Sequence, residues 1–403
     1  MLFIPFIAIA VLVLWSFWNL QKLRSLDPSQ LGSGPIKLKI EAFTGFGHRN
    51  AAQISGRVSK DGGRFSALNA EFEQMGIGGK FRRNLRRFLL PEMEGVQVEI
   101  RVRDTRKTAS TDVRGRFTLR LEGNSILDPG ITTYSVCITS ENGDFEATKT
   151  VGQIVVPPDS ATVAVISDID DTVVSTHVKS TFRMLLHTAV TSVSDLKPTP
   201  GFPSLLTAAI EGKTGNERNP VFYVSGSPAN LHDKLHAFLR ANRFPIGPLF
   251  LTSIGREPGA GFFNQRSFKT ERIRELFRFF PKLRFVLFGD NIQVDSEIYH
   301  QIALEFPGRV LTTLIYERIP QFMTGKILPL GQHRVPNAFE AGMILYQRGW
   351  VSKEGLRGIA NELIQASIFP DSFNLDRVLR KKDRRKREPL SHSTVTDFAR
   401  FRG

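Results

Sequence analysis

The sequence has almost no cysteine and lacks two common catalytic patterns. Its 403 residues contain one cysteine, Cys137, so neither an intramolecular disulfide nor a cluster of thiolate metal ligands can form within one chain. His232 and His236 are four residues apart, but no Glu follows the first of them, as a zinc H-E-x-x-H site requires. Ser225 lies in V-S-G-S-P and not in the G-x-S-x-G nucleophile elbow. We therefore expect the histidines to be packing or surface residues.

Acidic side chains are also scarce relative to basic ones. Lys and Arg together number 54 and Asp and Glu 39, which gives a formal net charge of +15. Such a balance favours anionic partners, whether lipid headgroups, nucleic acid or phosphorylated substrates. With 41% hydrophobic residues, the chain is long and apolar enough for a sizeable core and more than one domain.

The N-terminal segment lacks charge altogether over residues 2–20. As a helix, this stretch matches the hydrocarbon thickness of a bilayer, so we predict a transmembrane anchor and linker over residues 1–33. The alternative, a cleaved signal peptide, would need a basic start and a small-residue cleavage site, and neither is present. Because Lys22 and Arg24 follow the apolar stretch, the remainder of the chain is expected in the cytoplasm.

Short alternating runs such as IKLKIEAF and VQVEIRV follow, separated by turn residues. They predict a small β-sandwich over residues 34–157. Within it, KFRRNLRRFLL at 80–90 combines apolar residues at helical spacing with four arginines. This basic amphipathic helix could lie on an anionic membrane or dock on its own domain.

From residue 158 the pattern changes to apolar runs alternating with helical stretches. This predicts an α/β fold, a Rossmann-like parallel sheet with crossover helices, over residues 158–330. The predicted strands are 162–167, 220–224, 248–252, 284–288 and 309–315, and the predicted helices are 202–211, 228–241, 268–279 and 295–305. Further helices are expected over 331–370, and a basic, disordered tail over 371–403 that contains RKKDRRKR. Such a block suits an anionic bilayer, and no recognisable fold supports nucleic-acid binding.

Polar residues stand where three predicted strands end: Asp168, Ser225 and Asp290. In doubly wound sheets, ligands bind outside the carboxyl ends of the strands. Asp170 follows Asp168 within DIDDT, and clustered carboxylates raise one another's pKa unless a cation such as Mg²⁺ compensates. One carboxylate could then attack phosphorus while a second protonates the leaving oxygen and activates water. A single Asp could equally well form a turn.

These residues occur in longer motifs. SDIDDTVVST resembles the first motif of haloacid-dehalogenase-type phosphotransferases, and FYVSGSPANL resembles the second. The series DIDDT, YVSGSP and FKTERIRELFRFFPKLRFVLFGDNIQVDSEIY resembles, more narrowly, the catalytic domain of the App1-type phosphatidate phosphatases over roughly residues 160–320. Asn291 stands where that family more often has serine.

The resemblance implies a role for each matching residue. It makes Asp168 the nucleophile and Asp170 the general acid and base, with Ser225 and Lys269 completing the catalytic set. The residues implied at the substrate phosphate are Thr172, Ser225, Gly226 and Lys269. The implied Mg²⁺ ligands are Asp168, Asp170, Asp290 and Asp295.

The expected function is a Mg²⁺-dependent phosphatase at an anionic membrane surface, with phosphatidate as the favoured substrate by resemblance. Two alternatives stay open. One is a phosphatase of a soluble or protein-bound phosphomonoester. The other is a catalytically idle, membrane-anchored module that binds lipid, and the complete set of motif residues argues against it.

Overall fold

The computed structural model describes most of the chain between residues 37 and 380. The described residues are 37–61, 93–123, 126–139, 149–169, 196–252, 265–292, 294–320, 323, 325 and 327–380. The predicted anchor, the basic amphipathic helix and the basic block from residue 381 onward lie outside them, so these three stay predictions. Within the described part, no helix is both long and apolar enough to cross a bilayer.

The first half of the chain forms eight β-strands. They are β1 Lys37–Ala42, β2 Gly45–His48, β3 Ala51–Asp61, β4 Gln97–Val102, β5 Thr105–Ser110, β6 Arg116–Glu122, β7 Gly130–Ile138 and β8 Lys149–Val156. Alternation places their apolar side chains inside: in β4, Val98, Ile100 and Val102 are buried while Gln97 and Arg101 are exposed. Hydrogen bonds join the strands in the order β1-β3-β2-β8-β7-β4-β5, with β6 on β3. The described strands thus form one hydrogen-bonded sheet whose buried side chains share a single core, and the predicted packing of this region as a β-sandwich stays a prediction.

The second half contains a six-stranded, fully parallel sheet. Its strands are β9 Val163–Ser167, β10 Val221–Pro228, β11 Leu249–Thr252, β12 Arg284–Asp290, β13 Val310–Tyr316 and β14 Gln332–Val335. They lie in the order β11-β10-β9-β12-β13-β14. The five predicted strands are confirmed to within a few residues. The sequence did not predict β14, because three of its four residues, QHRV, are polar.

Six helices of ten or more residues cover this sheet in the described part of the chain. They are α1 Phe202–Glu211, α2 His232–Ala241, α3 Gln265–Phe279, α4 Asp295–Glu305, α5 Ala338–Gln347 and α6 Lys353–Gln365. A short helical stretch at 375–380 also shows order at the start of the expected disordered tail. Strand β9 is buried throughout. Its odd residues join a core with α1, α2, α5 and α6, and its even residues join a second core with α3 and α4. The α/β layer therefore continues past the predicted boundary at residue 330.

The second core also includes side chains from the N-terminal sheet. Phe46 of β2 lies with its ring centroid 4.8 Å from that of Phe279 and 5.9 Å from that of Phe222, both edge-on. Nearby, the buried His232 ring stacks on Phe43 with centroids 3.9 Å apart. This contact confirms the expectation that His232 is a packing residue. The two halves thus share a core.

This shared core predicts that Phe46→Ala destabilises both halves together. Removal of a buried phenyl ring should lower the free energy of unfolding by about 3–5 kcal/mol. Pulse proteolysis in urea measures the change. Leu304→Ala is the matched control, because Leu304 is exposed and its truncation should cost under about 0.5 kcal/mol. Two separate transitions, with the α/β half unaffected by Phe46→Ala, would contradict the shared core.

Candidate active site

Neighbouring parallel strands bring two aspartates to one edge of the sheet. Asp168 follows β9 directly, and its backbone N–H donates to the carbonyl of Phe288 in β12 at 2.9 Å. Asp290 is the last residue of β12. Because β9 and β12 are adjacent and parallel, their carboxyl ends meet, which places both carboxyl groups at the edge where such sheets bind ligands.

A third carboxylate folds back onto the end of β12. Asp295 begins α4, and its Oδ2 accepts a hydrogen bond from the backbone N–H of Asp290 at 3.4 Å. Gly289 makes this approach possible, since a Cβ there would lie 2.7 Å from Cβ of Asp295 and 2.8 Å from Cε2 of Tyr299. One oxygen from each of Asp168, Asp290 and Asp295 lies within 4.8 Å of the others.

Lys269 of α3 bridges two of these carboxylates. Its Nζ lies 2.7 Å from Oδ1 of Asp168 and 2.7 Å from Oδ1 of Asp295. Burial lowers the pKa of Lys269, but the charges of Asp168 and Asp295 and the hydrogen bonds to them outweigh burial, so the pKa is raised above its usual value. Lys269 is therefore a permanent cation in this cluster at physiological pH.

The charge balance of the cluster fits a divalent cation. All three aspartates are buried with no exposed surface, and one ammonium group cannot neutralise three ionised carboxylates. Buried charge without compensation is strongly unfavourable. Hard oxygen donors of this kind are the ligands that Mg²⁺ prefers. In the described ranges, no other group of three or more His, Cys, Asp or Glu residues lies close enough to hold an ion.

Tyr299 fastens the helix that carries Asp295. Its hydroxyl donates to the carbonyl of Phe288 at 2.9 Å. Burial raises the pKa of Tyr299 well above its usual value, and the charges of Asp295, Asp168 and Asp290 add to this. The residue is thus a neutral donor that holds α4 against β12. No motif indicated Tyr299, although its position four residues after Asp295 places both residues on one helix face.

Asn291 connects the loops that follow β12 and β13. Its Oδ1 accepts hydrogen bonds from the backbone N–H groups of Arg318 at 2.9 Å and Ile319 at 3.1 Å, and its Nδ2 donates to the carbonyl of Ile319. These contacts need an amide that both accepts and donates in a fixed plane. The departure from the family's serine therefore has a structural role that the sequence pattern did not reveal.

Ser225 and Gly226 lie in β10, which neighbours β9. Tyr223 pairs with Ser167, so Ser225 follows at the same edge as Asp168. Its Oγ accepts a hydrogen bond from the backbone N–H of Ser227 at 2.9 Å. At Gly226, a Cβ would lie 2.6 Å from the side chain of Gln265, so glycine leaves room there for the start of α3.

The structure thus brings together four of the predicted site residues, Asp168, Lys269, Asp290 and Asp295, and places Ser225 and Gly226 on the adjoining strand. Asp170 and Thr172 lie outside the described residues. Their assigned places at the metal, the leaving group and the phosphate stay predictions.

The segment that contains this cluster is similar to known proteins. Residues 163–317 match the family model described as the catalytic domain of phosphatidate phosphatase APP1. Phosphatidate phosphatase APP1 of Saccharomyces cerevisiae is 33% identical over 165 residues, which are 38% of this chain and 25% of the yeast protein. The chain carries an App1-type catalytic domain. An uncharacterized protein of Schizosaccharomyces pombe is 31% identical over 173 residues, 40% of this chain and 26% of that protein.

The App1-type domain accounts for part of each protein compared. The chain spans about a quarter of the length of the curated relatives it matches. A solved structure, tandem Ig repeats of Dlar, covers 36% of this chain and 64% of its own at 11% identity, with a TM-score of 0.19 that is too low to inform the fold. The matched segment ends before β14, yet β14, α5 and α6 complete the sheet and core of the App1-type domain.

The close approach at Gly289 predicts that Gly289→Ala disrupts the site. The added methyl group would force Asp295 and Tyr299 away from β12, and displacement of a catalytic group by about 1 Å can cost on the order of 100-fold in rate. Hydrolysis of a phosphomonoester measures the loss. Gly358→Ala is the matched control, because a Cβ at this helical glycine meets no atom within 4 Å. A fully active Gly289→Ala protein would show that the packing of Asp295 against β12 is not required.

Proposed function

We propose that the App1-type domain is a Mg²⁺-dependent phosphatase that cleaves a phosphomonoester through an aspartyl-phosphate on Asp168. The observation that carries this proposal is the buried cluster of Asp168, Asp290 and Asp295 with Lys269 between two of them. Such a cluster at the carboxyl ends of parallel strands combines a nucleophile, a fixed cation and hard oxygen donors in one place.

Each residue has a part in the proposed reaction. A carboxylate oxygen of Asp168 attacks phosphorus, and the bond from phosphorus to the alcohol oxygen breaks. Asp170, assigned by resemblance, gives a proton to that departing oxygen. Asp170 then takes a proton from water, whose oxygen attacks the phosphorus of the aspartyl-phosphate. Inorganic phosphate leaves, and the carboxylate of Asp168 is restored.

The surrounding groups position and neutralise the reactants. The ammonium group of Lys269 offsets the charge of both Asp168 and the transferring phosphoryl group. Asp295 accepts the second hydrogen bond of Lys269 and so fixes where that ammonium group points. Ser225, Gly226 and Thr172 are assigned to the phosphate. Mg²⁺, held by Asp168, Asp290 and Asp295 with Asp170, would supply Lewis-acid stabilisation of the phosphoryl oxygens.

Phosphatidate is the proposed substrate, with diacylglycerol and phosphate as the products. Its support is the similarity to the yeast phosphatidate phosphatase and to the family model that matches residues 163–317. The formal charge of +15 also suits a substrate that lies in an anionic membrane surface. The alternative, a soluble or protein-bound phosphomonoester, would use the same cluster.

The proposed nucleophile predicts the behaviour of Asp168→Asn. The amide keeps the shape of the side chain but cannot attack phosphorus, so turnover should fall by about 1000-fold or more. Thermal unfolding should show that the protein stays folded. Asp128→Asn is the matched control, because that aspartate is exposed in the connection between β6 and β7 and its loss should not alter turnover. Substantial activity in Asp168→Asn would remove Asp168 from its role.

Metal removal and substrate choice test the remainder of the proposal. Treatment with EDTA should abolish turnover of phosphatidate in mixed micelles, and added Mg²⁺ should restore it, because the buried carboxylates are then compensated again. Full activity in EDTA would contradict a metal-dependent reaction.

Hydrolysis of a soluble phosphomonoester without any hydrolysis of phosphatidate would favour the alternative substrate.

A further inference from the structure

An exposed apolar surface lies in the connection between β13 and β14. Met323 is 62% exposed, Ile327 85% and Leu330 99%. We refer to these three residues as the apolar tip. In the part of the chain that the structure describes, Ile327 and Leu330 are the most exposed of the large hydrophobic side chains. Several exposed apolar residues within one short connection indicate an interaction site more strongly than a single one does.

The connection that bears the apolar tip begins and ends beside the metal-ligand residues. At its start, Asn291, the neighbour of Asp290, bonds to the backbone of Arg318 and Ile319. At its end, the side chain of Gln332 bonds to Ser296, the neighbour of Asp295, through two contacts of 2.7 Å. Leu330 is two residues from Gln332, so it lies within about 7 Å of this anchored point.

The base of the connection is packed, although its tip is exposed. Leu328 is partly buried against the second core, next to the exposed Ile327. The apolar tip is therefore exposed even though the residue next to Ile327 packs against the second core. Leu328 and Gln332 thus hold the chain on both sides of Leu330, beside the aspartate cluster.

The charges around the apolar tip suit an anionic surface. Residues 318–336 contain no Asp or Glu, whereas Arg318 and Lys326 are basic. The charge of Arg334 is paired with that of Glu317 at 3.3 Å. Apolar side chains flanked by basic ones are typical of segments that lie in the interface of an anionic bilayer. A second copy of the chain fits less well, because pairing two such tips would bring like charges together.

We propose that Met323, Ile327 and Leu330 insert into the interface of an anionic lipid bilayer and hold the mouth of the phosphatase site against it. The inference rests on the proposed function, since a phosphomonoester that carries two acyl chains stays in the bilayer and its phosphate must be reached from that surface. The apolar tip orients the site, whereas an N-terminal anchor would only raise its local concentration.

Quenching by brominated lipid tests the insertion independently of activity. The full chain with Cys137→Ser carries a fluorophore on Leu330→Cys, or on Leu304→Cys as the matched control, in vesicles of anionic lipid with brominated acyl chains. Leu304 is 68% exposed and lies nine residues along α4 from Asp295, about 14 Å from the site edge. Strong quenching at position 330 and little at position 304 is expected.

Two results of this measurement would overturn the proposal. Equal quenching at positions 330 and 304 would show that the apolar tip does not enter the bilayer. Shielding at position 330 that needs no lipid and grows with protein concentration would identify a second copy of the chain as its partner.

Kinetics separate this inference from the proposed function. The double variant Ile327→Ser, Leu330→Ser should lower the ratio of turnover on phosphatidate in anionic vesicles to turnover on a water-soluble short-chain analogue by about tenfold. Leu304→Ser should leave that ratio unchanged. An unchanged ratio in the double variant overturns the docking proposal while the phosphatase proposal stands. If the parent protein hydrolyses neither substrate, the proposed function fails, and the quenching result still decides the docking.

Discussion

The contact between the ammonium group of Lys269 and the carboxylates of Asp168 and Asp295 is the interaction on which the candidate site depends. Three carboxylates packed within 4.8 Å, all without exposed surface, repel one another. Lys269 compensates part of that charge and is itself kept protonated by it. The remaining negative charge makes the cluster suited to a divalent cation and to the transfer of a phosphoryl group.

The fold places these groups by simple means. Parallel pairing of β9 and β12 brings Asp168 and Asp290 to one edge, and Gly289 lets α4 approach closely enough for Asp295 to join them. The residues next to two of these aspartates also hold the connection between β13 and β14. Asn291 bonds to its start, and Ser296 bonds to its end. The buried aspartate cluster and the exposed apolar tip thus depend on the same short loops.

Local sequence patterns predicted much of this fold. The features that they did not predict depend on tertiary packing. Apolar runs located five strands of the parallel sheet, and the strand ends alone indicated Asp168 and Asp290. Lys269 and Asp295 came from the family resemblance, because a lysine in a helix and an aspartate after a loop carry no signal by themselves. Asn291 was visible only as a departure from the family pattern. The polar strand β14 and the packing of Phe46 among phenylalanines of the other half depend on contacts between segments far apart in sequence.

A trapped phosphoenzyme tests the central claim, that Asp168 is the nucleophile of a phosphatase, most directly. An Asp170→Asn protein that turns over phosphatidate with Mg²⁺ would be quenched in acid and reduced with borohydride, which converts an aspartyl-phosphate to homoserine. Its peptides would then be mapped by mass spectrometry. The account predicts homoserine at position 168 and at no other aspartate. Homoserine at another position, or continued turnover with no phosphoenzyme at any reaction time, would contradict it.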